Sequence, residues 1–152
     1  MCTSFKTELL NGSHAFGTQA TNSVRTVTTK DTFNGALYLA TASLGAGTTV
    51  YSATGELAAS GNYTAKGAAI TNATAPQATG TTAFWTPSAS LVWNALTSSG
   101  AFDALLIINM KSTNVTELAV SVHTFSSQSV TAGTFTLTMP TNDATTGLIR
   151  IA

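Results

Sequence analysis

The clearest hydrophobic pattern lies in the second half of the chain. Ala101–Met110 (AFDALLIINM) is apolar on both faces through its middle, as expected of a strand buried between two layers. After a polar turn over Lys111–Asn114, Leu118, Val120 and Val122 alternate with Ala119, Ser121 and His123. That period of two is the signature of a half-buried antiparallel strand. Together Ala101–Met110 and Val115–Phe125 predict a hairpin. Thr134–Met139 alternates again, with Phe135, Leu137 and Met139 inward and threonines outward. Pro140–Thr146 reads as a turn, and Gly147–Ala152 (GLIRIA) as a final strand.

The first half is more broken. Ser4–Leu10 is read as a short helix or an arm, and Asn11–Asn22 as an extended arm or loop. Val24–Thr29 alternates and is β-branched, which predicts a strand. Asn34-Gly35 reads as a turn leading into a strand over Ala36–Thr41, with Leu37 and Leu39 on one face. Ser43–Gly67 is punctuated by five glycines and suits bends and short strands. Thr71–Thr82 is read as a polar loop around Pro76. Ala83–Trp85 then starts a strand that Pro87 interrupts, and Ser90–Ala95 resumes.

Helical periodicity is nearly absent. Turn signals every 8–12 residues between some eight to ten short strands predict an all-β fold, an antiparallel β-sandwich or jelly-roll-like domain. We divide it into an N-terminal arm or short helix over 1–22 and a β-sandwich domain over 23–152. The 152 residues suffice for one core.

Charge changes the picture of function. Only 8% of residues are charged, against about 25% in an ordinary soluble protein, and the formal net charge is zero. Lys6, Arg25, Lys30, Lys66, Lys111 and Arg150 are scattered, so there is no basic stripe for nucleic acid. A neutral surface of hydroxyls and amides favours association with other protein, the alternative being a neutral domain that its hydroxyls keep in solution. No run of about 18 apolar residues offers a membrane span, and Met1–Gly12 lacks the basic-then-apolar start of a secretory signal. The expected site of synthesis is therefore a cytoplasm. On that reading the Asn-x-Ser/Thr sequences at Asn11, Asn62, Asn72 and Asn114 are products of composition rather than glycan acceptors.

Candidate chemistry is sparse. Cys2 is the single cysteine, expected as an exposed or partly covered thiol. His14 and His123 have no second ligand at metal spacing, and His123 is placed on the polar face of its strand. Gly61–Gly67 resembles a phosphate loop only superficially, because its lysine precedes the glycine. Asp103, interrupting an apolar strand, is read as a strand-end or edge residue that blunts aggregation. Asp143 is read as ordering its own turn. Trp85 and Trp93 could form a sugar-binding platform, but such aromatics are more often core. We assign no catalytic, no cofactor-binding and no metal-binding residue, and expect no enzyme activity and no cofactor.

Several segments carry a resemblance. Ser4–Gly12 (SFKTELLNG), Phe33–Ala40, Thr48–Gly55 (TTVYSATG) with Glu56-Leu57, Tyr63–Gly67 (YTAKG) and Asp143–Ala152 (DATTGLIRIA) resemble a pattern in small virion-associated proteins of tailed bacteriophages. The likeness spans nearly the whole chain, although Lys66-Gly67 stands where that pattern has Gly-Gly and Trp85–Gly100 is unlike it. It implies a virion structural role, a capsid decoration (cement) protein on the capsid surface, made in the host bacterial cytoplasm. It also implies the major capsid protein as partner and a homo-oligomer, with a trimer matching threefold points of a shell. No direct contact with nucleic acid or membrane is expected. The alternatives are a head–tail connector or tail accessory protein, and a carbohydrate- or receptor-binding β-sandwich module.

Overall fold

A computed structural model describes residues 1–18, 30–71, 74–111 and 116–152. Over these residues the fold is all-β and sandwich-like, with antiparallel sheets and one short helix. The helix α1 spans Thr3–Leu10. The strands are β1 (Phe33–Leu39), β2 (Ala68–Ala69), β3 (Gln77–Thr79), β4 (Thr82–Trp85), β5 (Leu91–Leu96), β6 (Phe102–Asn109), β7 (Leu118–Gln128), β8 (Gly133–Leu137) and β9 (Ile149–Ile151). They form a four-stranded sheet in the order β2-β1-β6-β7, a three-stranded sheet β3-β4-β9 and a two-stranded sheet β5-β8.

The central pair β1–β6 is buried on both faces. Ala36, Leu37 and Tyr38 are inaccessible, as are Leu106, Ile107 and Ile108. A strand covered on both sides gains nothing from alternation, so its sequence runs continuously apolar. One face of this pair meets the smaller sheets. Phe33 lies 5.9 Å from Trp85 of β4, and Phe102 meets Phe135 of β8 edge-on at 4.9 Å. On the other, Tyr38 packs under the 41–55 loop and its hydroxyl donates to the Ser52 carbonyl.

The β6–β7 hairpin forms as predicted, with Leu106 opposite Val122. Its alternation does not hold: Ala119, Val120 and Ser121 are all buried in succession. A register shift at Ile107/Ile108 gives β7 an extra residue here, and the N-terminal segment covers its outer side, with Cys2 N–H donating to the Val120 carbonyl.

Other expectations are corrected. Asn34-Gly35 makes no turn but lies within β1. Gly35 is needed for close approach, since a Cβ there would lie 2.6 Å from the Leu91 side chain and 2.9 Å from Leu105. Gln77–Thr79, read as loop, is a strand paired to β4 through a turn at Gly80. Ser43–Gly67 contains turns and isolated bridges but no strand of its own. Of the two places read for Asp103, strand end or edge, it takes the first: it is the second residue of β6, where the register shifts between Phe102 and Ala104, and β6 is an inner strand. The strand predicted over Val24–Thr29, and Arg25, Asn72 and Asn114, lie outside the described residues.

The start of the chain is docked over its described residues. Phe5 is 1% exposed, within ring contact of Phe16, which stacks on Phe33 at 4.5 Å. Cys2, expected to be accessible, is fully buried, and that burial pushes its thiol pKa up.

Candidate functional site

Two polar clusters were invisible as motifs because their members come together only in the fold. The first ties the N-terminal segment to β6. The Lys111 backbone N–H donates to Asn109 Oδ1 at 2.9 Å, which fixes the orientation of a fully buried amide. Asn109 Nδ2 then donates to Asp31 Oδ2 at 2.8 Å and to His14 Nδ1 at 2.9 Å. With Nδ1 accepting, the imidazole proton sits on Nε2, which meets Glu8 Oε2 at 2.9 Å. Asp31 Oδ2 also accepts the Ala15 N–H, and Lys111 Nζ lies 3.6 Å from Asp31 Oδ1. Every member has a protein partner, so the cluster reads as a fastening rather than a reactive centre.

The second centres on Glu56. Its Oε1 accepts the Tyr63 hydroxyl at 2.8 Å and the Lys66 N–H at 2.6 Å, and its Oε2 accepts the Tyr51 hydroxyl. Tyr63, 1% exposed, also accepts the Leu37 N–H at 3.0 Å, so the glycine-rich loop is pinned to the edge of β1. Desolvation, reinforced by the Glu56 charge, pushes the Tyr38 phenol up to about 12 and raises those of Tyr51 and Tyr63. None is a base at neutral pH. Lys66 reaches across to Glu117, whose pKa that hydrogen bond lowers, and lies 5.5 Å from the Tyr51 ring centroid. Lys66 and Gly67 both have positive φ, and a Cβ on Gly67 would fall 1.9 Å from the Gly35 carbonyl oxygen. The segment that superficially suggested a phosphate loop is thus a tight turn packed on a strand.

The remaining candidates also have structural places. His123 is part-buried rather than on a polar face, bonded to the buried Ser121 hydroxyl at 2.8 Å. Desolvation first, and the nearby amino terminus second, push its pKa down to about 4. Asp143 orders its turn as expected: Oδ1 accepts the N–H groups of Thr145 and Thr146 at 2.7 Å, and these bonds lower its pKa. Trp85 and Trp93 are 2% and 1% exposed, which removes them as a sugar platform. Among the described residues no three metal-ligating side chains converge.

What the molecule does offer is surface. An apolar groove of about 200 Å³ runs between α1 and β4–β9, lined by Phe5, Leu9, Pro76, Phe84 and Ile149. A wider, hydroxyl-rich bowl of about 860 Å³ opens over the 41–55 loop. Leu10, Val92 and Ile151 are exposed apolar side chains, and among the described strands the only charged residue on a sheet edge is Arg150 of β9. Among the described residues no helix is long and apolar enough to cross a membrane. Compared with known proteins, the chain matches no family, no curated protein and no solved structure.

Proposed function

We propose that this chain is a virion structural protein of a tailed bacteriophage: a capsid decoration protein that binds the major capsid shell through protein–protein contacts. The observation that carries the reading is the near full-length resemblance, from Ser4–Gly12 through Tyr63–Gly67 to Asp143–Ala152. The motifs behind that resemblance are scaffold. Glu56, Tyr63 and Gly67 fasten a loop to β1, and Asp143 fixes the turn before β9. A pattern made of scaffold supports a part that assembles rather than one that turns over a substrate.

The physical character of the surface supports the same reading. A decoration protein sits in many copies on a repeating lattice, where charge on each copy would repel its neighbours. This chain has zero formal net charge and few charged side chains. Contacts with a shell, and between copies of the chain, would draw on shape, apolar grooves and strand edges. The test is to mix purified protein with undecorated shells, sediment them and image the pellet. Decoration predicts saturable binding in regular array over the outer surface. Density confined to one vertex would favour the connector or tail reading, and no binding with no density on intact virions would refute a virion role.

A further inference from the structure

We propose that the outer edge of β8 is a self-association surface, at which two copies of this chain join β8 to β8 antiparallel about a twofold axis. The resulting sheet would be four-stranded, in the order β5-β8-β8-β5.

The sheet edges differ in how they are protected. Exposed edges with unpaired N–H and C=O groups invite strand addition unless they are short, bulged, charged or covered. On β7, Ala119 N–H bonds the Thr49 carbonyl and Glu117 carbonyl accepts Tyr51 N–H, and two register shifts distort the strand. On β5, Asn94 carbonyl accepts Asn62 N–H, and a bulge with Ala95 at φ 53° follows. The edge strand β2 has two residues, and β3 and β9 three each, the last carrying Arg150.

β8 has none of these devices. It spans five residues without proline or charge, and the extra residue of the β5–β8 bulge lies on β5. Among the described residues its outer side meets no backbone partner. It also belongs to a sheet of only two strands, an arrangement marginal in isolation and strengthened by additional strands.

The occupant follows from self-complementarity. No Asp, Glu, Lys or Arg occurs from Leu118 to Asn142, so a second copy of the same edge opposes no like charges. An antiparallel pairing centred on Phe135 sets Thr134 opposite Thr136 of the second copy, and the reverse. Both are exposed, and facing threonines are a favourable cross-strand pair. On the other face Phe135 and Leu137 are only half-buried, though Phe135 already stacks with Trp93 at 5.9 Å. Pairing would cover them and extend the aromatic cluster across the axis. The contact is isologous and closes at two copies.

The proposal does not depend on the phage reading and can fail separately from it. Sedimentation of the full-length chain should show a monomer–dimer equilibrium. The double variants Thr134→Lys/Thr136→Lys and Thr134→Glu/Thr136→Glu should each remain folded by circular dichroism and become monomeric. Their equimolar mixture should recover the dimer, because each lysine then faces a glutamate. A wild-type chain monomeric at every concentration, a trimer, or a dimer indifferent to these substitutions would overturn the assignment, as would failure of the mixture to reassociate.

Discussion

At the residue scale, Glu56 holds a loop that has no regular structure of its own. Three donors, two phenols and the Lys66 N–H, converge on its carboxylate. Removing an acceptor from part-buried donors costs far more than removing a surface charge. Glu56→Ala is therefore expected to destabilise by about 2–4 kcal/mol in urea unfolding. Glu117→Ala, which breaks only the partly exposed pair with Lys66, should cost under about 1 kcal/mol. Equal effects would mean the loop is not held through Glu56. His123 makes a second prediction. Its pKa falls from 6.5 to about 4 on folding, so the folded state favours the neutral ring. Its contribution is complete above the unfolded pKa and is lost as pH falls from about 6.5 towards 4. The loss is on the order of 3 kcal/mol at most. Unfolding midpoints measured across that window should drop, and His123→Gln should flatten this component of the profile.

At the scale of elements, the sequence was most legible where pattern and packing agree. β6 and β7 were readable because a continuous apolar run beside a β-branched one has few alternatives to pairing. Asn34-Gly35 was misread because the same dipeptide serves a turn and a close approach, and only the Leu91 side chain above Gly35 distinguishes them. The alternation over Leu118–His123 misled for a related reason: the bulge and the docked N-terminal segment bury both faces at once. The His14–Asp31–Asn109 cluster left no signal, since His14 and Asn109 stand 95 positions apart. That cluster governs how firmly the N-terminal segment is held. Asn109→Ala leaves the His14 and Asp31 acceptors without their shared donor, and should destabilise by about 2–4 kcal/mol. Hydrogen exchange should rise in the α1 amides more than in those of β8. A uniform rise across the molecule would contradict a local fastening.

At the scale of the whole molecule, several side chains that could have carried chemistry or recognition are taken up by the fold. The tyrosines are held protonated, both tryptophans are core and the single cysteine is buried. What reaches solvent is largely hydroxyl, amide and small apolar surface, including, among the described residues, the unbulged and uncharged edge of β8. Composition foretold this neutrality directly, whereas the location of the open edge required the strand order and the bulges. The phage reading itself rests on motifs in the sequence, and the fold gives those motifs structural tasks. The most direct test is high-resolution imaging of undecorated phage shells incubated with the purified chain. Decoration requires ordered density for this fold at repeated positions over the outer surface, saturating with added protein. A bare shell at saturating protein, or density at a single vertex only, would contradict it.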